Sequence, residues 1–213
     1  MSSSLILTLY FVILSTATIS GLARWKKLDK GSRIIVLLLC CTIIFESTSL
    51  LFIRAFNNNR PILHIFSPIE LLIICIYFNE TIELLKKYRL GWWFGFLGLS
   101  VGLATSIFLQ SIWNVNSIFL IFEAFAIILL CIFSFYQLLL KRLDIIGNIR
   151  FWVSSLLLFY WSSVFLYWGF NSYFESNLQQ YSDLAYYGLG FVNMIMYLGF
   201  ALIFFNYKKM NLG

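Results

Sequence analysis

Within one long apolar stretch, Pro61–Lys87, the chain carries His64, Pro68 and Glu70. Glu46, Glu123 and Asn193 stand in three other apolar stretches, and Arg54 and Arg60 flank the first of them. An ionisable side chain in hydrocarbon costs about 3 kcal/mol or more unless it meets a partner or water, so such residues usually have a task. At about 1.5 Å rise per residue, Glu70 lies roughly 13 Å beyond Pro61, near the middle of its stretch. By the same rise Glu46, His64 and Glu123 fall in the half of their helices on the Pro61 side, and Asn193 falls near the middle of the last. Several helices thus bring a polar group to a similar depth. The pattern predicts a polar intramembrane pocket, open outward, for a small ligand held by Glu70, His64, Glu46, Glu123, Asn193 and Arg54.

Each residue also has a plainer reading. Glu70 serves equally as a protonated carboxyl hydrogen-bonded to a neighbouring helix, and His64 as a hydrated ring near the interface. His64 and Glu70, six residues apart, project about 120° apart and need not touch. Arg54 and Arg60 suit snorkelling at the membrane surface. Pro68 removes a helical hydrogen bond and kinks the helix, as a hinge or as an inert packing feature. Glu80 and Glu83 beside Lys86 and Lys87 read as a solvated helix end.

Enzyme templates fit poorly. One histidine in the chain cannot supply a multi-histidine zinc site, and there is no GxSxG elbow, HExxH or glycine-rich phosphate loop. No catalytic residue, metal site or cofactor is assigned, although Glu70 and His64 as acid and base keep an intramembrane enzyme open as a further reading. The four cysteines, Cys40, Cys41, Cys75 and Cys131, lie in apolar stretches as small packing residues.

The elements that must position these groups are transmembrane helices. Hydrophobic residues make up 61% of the chain and charged residues 11%, against about 25% charged in ordinary globular proteins. Spans of about 20 apolar residues cross a bilayer. The sequence offers them at Leu5–Leu22, Ile34–Ile53, Ile62–Leu85, Trp92–Leu109, Ile118–Leu140, Phe151–Phe170 and Leu184–Phe205. The first follows no basic start and is read as a retained helix, not a leader. The fold class is therefore all-α, a single polytopic domain whose first partner is the lipid bilayer. The net charge of +6 comes from loops between spans, which argues against nucleic acid as a partner.

Bases concentrate after spans one, three, five and seven: Arg24–Arg33, Lys86–Arg89, Lys141–Arg150 and Lys208–Lys209. All four segments share one side, so the N-terminus is expected outside and the C-terminus in the cytoplasm of a bacterial inner membrane. KKLDKGSR after span one and KRLDIIGNIR after span five resemble each other, and Phe-Asn pairs end spans two, three, six and seven. These marks suggest two parallel three-helix copies, 1–90 and 114–213, joined by span four. Span four carries Gly91, Gly95, Gly98 and Gly102 at close-packing spacing, which favours packing against a neighbouring helix of the same chain over dimerisation.

The 3+1+3 layout resembles the SWEET/PQ-loop sugar carriers, although the Pro-Gln pair of that family is absent and the only prolines are Pro61 and Pro68. The resemblance implies a substrate between the two three-helix units, near Glu70 and Asn193. Separately, HIFSPIEL (His64–Leu71) is similar to an H-x-[FY]-x-x-I-E-[FL] stretch in small bacterial membrane proteins of unassigned function. The expected function is transport of a small ligand. The alternative is a sensor or accessory subunit acting through a membrane protein partner.

Overall fold

The computed structural model describes residues 3–141, 145–177 and 179–207. Its helices are α1 (Ser3–Ala23), α2 (Lys30–Phe56), α3 (Arg60–Thr81), α4 (Glu83–Tyr88), α5 (Leu90–Ala104), α6 (Ser117–Leu140), α7 (Ile149–Asn177) and α8 (Gln179–Asn206). A π-helical turn, Thr105–Leu109, continues α5. Seven of the helices are long and apolar enough to cross a membrane. Large apolar side chains point outward along them, among them Trp93, Ile107 and Phe108, which water would penalise and lipid accepts. The chain is an integral, multi-pass membrane protein.

Helix ends follow local chemistry. The Asp29 side chain caps α2, accepting from the Gly31 and Ser32 amides at 3.2 Å each. Asp29→Ala is expected to cost about 1 kcal/mol, the usual value of an N-cap, seen as a lower unfolding midpoint of the purified protein. α2 closes at Asn57, whose φ of 53° lies in the left-handed region that asparagine tolerates. The third span ends earlier than its hydropathy suggests. At Ile82 the backbone turns extended (φ −102°, ψ 115°), and Glu83–Tyr88 forms a separate short helix. Arg89, at φ 54°, then feeds directly into α5. At the other end of the chain, residues expected in a connection are helical: α7 runs on to Asn177 and α8 starts at Gln179. Polar residues such as Ser172, Glu175 and Gln180 interrupt the hydropathy, but no proline or glycine between Phe170 and Tyr187 stops a helix.

The helices group into two packed units. One contains α2, α3, α4, α5 and the start of α6, as far as Glu123; the other contains α1, the remainder of α6 from Ala124, α7 and α8. In the second unit α8 packs against both α1 and α7. The rings of Tyr10 and Tyr197 meet edge-on at 5.8 Å, and Ser154 hydrogen-bonds Ser134 at 3.0 Å. An ideal Cβ placed on Gly199 would stand 2.6 Å from the Leu156 methyl groups, so Leu156 of α7 rests directly on Gly199 of α8.

The first unit is built on α3, which packs against both α2 and α5. Gly91, Gly95, Gly98 and Gly102 are all buried along one side of α5. An added Cβ would meet Asn79 at 2.4 Å from Gly91, Leu72 at 2.6 Å from Gly95, Leu71 at 2.5 Å from Gly98 and Pro68 at 2.4 Å from Gly102. The glycine row is thus an internal contact between successive spans, in which small residues let two helix backbones approach. Pro68 is buried inside α3 and rests on Gly102, so its ring fills space that the missing Cβ leaves. On the other side of α3, the rings of Phe45 and Phe66 lie 4.9 Å apart.

Candidate functional site

Glu46, Glu70 and Glu123 come from α2, α3 and α6 and meet within the first unit. The α2–α3 hairpin turns in only three residues, Asn57–Asn59. The Phe45–Phe66 contact pins it, bringing Glu46 and Glu70 onto neighbouring turns. On the opposite side, Phe119 of α6 lies 3.1 Å from the Cβ that Gly102 lacks, beside Pro68. Glu123 follows Phe119 by one turn of α6, as Glu70 follows Phe66 by one turn of α3. The carboxyl groups lie close enough to interact: Glu70 with Glu46, and Glu123 with Glu70 and with the Cys75 thiol. Glu70 is partly buried. Glu123 is 0% exposed, and neither of its oxygens has a hydrogen-bond partner among the described residues.

No protein cation lies along the helix segments around this group. Residues 34–53, 61–79, 90–109 and 117–140 contain no lysine or arginine. Nor do any three His, Cys, Asp or Glu side chains among the described residues converge as ligands for one metal ion. Of the three carboxyl groups, Glu123 is the one fully buried, with both oxygens unpartnered among the described residues.

His64 hydrogen-bonds to Ser106 and Asn114 and is not the hydrated ring that its depth suggested. It is 4% exposed, with Nε2 at 2.9 Å from the Asn114 carbonyl oxygen and Nδ1 at 2.8 Å from Ser106 Oγ. A carbonyl only accepts, so Nε2 carries a proton and donates it. In the neutral ring Nδ1 then accepts from the Ser106 hydroxyl, which alternatively donates to the Gly102 carbonyl at 2.8 Å. The same hydroxyl receives the Asn116 amide at 3.2 Å. Asn116 also donates to Thr105 at 3.0 Å and accepts from the Phe119 amide at the start of α6 at 3.3 Å. The π turn brings Ser106 to this place: Gln110 N–H reaches back five residues to the Thr105 carbonyl at 2.9 Å. Widened turns of this kind recur where a helix must redirect a side chain. His64 therefore ties α3 to α5 and to the segment that leads into α6.

Arg54 is exposed in the last turn of α2. Asn193 belongs to α8 in the other unit, where its Oδ1 is buried without a hydrogen-bond partner among the described residues. Pro68 sits tightly on Gly102 in the close contact of α3 with α5.

Ser106, Asn114 and Asn116 were not expected at the site, because hydropathy assigns them to a span end and a loop. The one signal in the sequence was Asn116 just before an apolar run, where a helix cap belongs. Glu80, read as a solvated end, instead has a side chain only 8% exposed. It holds Lys30 of α2 at 2.9 Å and Lys86 of α4 at 3.4 Å. Lys87 leans over the Tyr88 ring instead. The Asn79 side chain accepts the Gly91 amide at 3.2 Å, so this end of α3 is stitched to three neighbouring elements.

Comparison with protein-family models, with curated proteins and with solved structures finds no match.

Proposed function

We propose that the protein is a carrier of the bacterial cytoplasmic membrane, with a small-ligand site formed by Glu46, Glu70 and Glu123. The observation that carries the reading is Glu123, fully buried with both carboxyl oxygens unpartnered. Burying a carboxylate without a partner costs several kcal/mol, and a site used only for packing would be served better by an apolar side chain. The four base-rich segments support an N-terminus outside and a C-terminus in the cytoplasm. In the 3+1+3 reading, two related halves move about a site near mid-membrane, as secondary transporters do. His64 acts as a fastener beside the site, not as a ligand group.

The test is a thermal-shift screen of purified wild type beside Glu70→Gln, across sugars, amino acids, lipids and metal ions at several pH values. A compound that stabilises the wild type and not the variant is the expected result, followed by flux of that compound in proteoliposomes. Ligand-dependent stabilisation without flux would point to the sensor reading. Equal responses in both proteins, or a more stable variant with no ligand found, would return Glu70 to a packing role.

A further inference from the structure

Resting on the carrier reading above, we infer that the ion taken up by this site is a proton, held by Glu123 beside Glu70, and that its binding and release accompany transport. A carboxylate in an apolar interior becomes neutral in three ways: by a basic side chain, by a metal ion or by a proton. The first is missing from the helix segments around the group, which contain no lysine or arginine. The one imidazole of the unit, His64, has both ring nitrogens engaged, with Ser106 and Asn114. The second lacks a ligand set, since no three candidate side chains among the described residues converge on one point. A proton needs only a single oxygen, and Glu123 offers two that nothing else occupies.

The titratable groups facing Glu123 are Glu70 and Cys75 from α3, with Glu46 of α2 beyond Glu70. α5, the remaining helix packed on α3, carries no ionisable residue over Leu90–Ala104. Two neighbouring carboxyl groups share protons more readily than both ionise, because like charges in a low dielectric repel.

The experiment is infrared difference spectroscopy on the full-length protein in lipid, stepped between acidic and alkaline pH, with wild type, Glu123→Gln and Glu70→Gln side by side. The expected result is a carboxylic acid C=O band that titrates in wild type, shifts in deuterium oxide and is lost in Glu123→Gln. In Glu70→Gln the band should persist at a shifted frequency, which keeps the test decisive if one variant folds poorly. Liposomes loaded with a pH-sensitive dye should take up protons with wild type and lose that uptake with Glu123→Gln. A wild type without a titrating band, or a band unchanged in Glu123→Gln, would overturn the proton assignment. So would a band abolished by sodium or potassium at fixed pH, which would make the bound ion a metal cation. In any of these cases a compound that stabilises wild type over Glu70→Gln would leave the carrier reading standing.

Discussion

Gly91→Ala should lower the stability of the protein by about 3 kcal/mol or more, at the upper end of what overpacking costs. The added methyl would fall 2.4 Å from Asn79 Cβ and 2.6 Å from the Cys75 carbonyl oxygen. These atoms belong to the α3 backbone or sit directly on it, so the clash cannot be relieved by turning a flexible side chain. Separation of α3 from α5 would also break the hydrogen bond from the Gly91 amide to Asn79. Gly188→Ala, with nothing within 4 Å of the new methyl, is the matched control and should change stability by less than about 1 kcal/mol. Unfolding midpoints of both variants in the same detergent check the prediction. Equal midpoints for the two would mean that α3 and α5 are not held this closely.

His64→Ala should cost about 1–3 kcal/mol, because it removes a buried ring together with its two part-buried hydrogen bonds, to Ser106 and to the Asn114 carbonyl. The Asn114 carbonyl loses its donor, and Ser106 keeps only Gly102 and Asn116. The connection between α5 and α6, residues 110–116, is then held by fewer bonds, chiefly Asn58 to the Trp113 carbonyl and Asn116 to Thr105. Limited proteolysis should therefore cut the variant in this segment faster than wild type, together with a lower unfolding midpoint. A variant with unchanged midpoint and cleavage would show that His64 is dispensable to the fold, and would reopen it as a ligand group.

These two variants also separate what each kind of side chain contributes in lipid. Glycine contributes by being small, since helix association in a membrane gains little from hiding apolar surface and depends on close contact. His64 contributes by bonding the backbone of an irregular segment, through the Asn114 carbonyl. Glu123 does neither, and for that reason it carries the functional proposal.

Membrane spans were legible in the sequence because the bilayer imposes a length and an apolar composition on anything that crosses it, and Leu5–Leu22 and Ile118–Leu140 needed no other information. The polar outliers were legible for the same reason: Glu46, Glu70 and Glu123 stand out against an apolar background, as does His64. Only the tertiary structure decided which of them meet. The apolar faces of all seven spans look alike in sequence, and shape selects the partner. Gly91 to Gly102 fit α3, Phe45 fits Phe66, and the three carboxyl groups are brought together as a consequence. The role of His64 was equally hidden, since its partners Ser106 and Asn114 lie 42 and 50 residues away and reach it only through a π turn that hydropathy does not register.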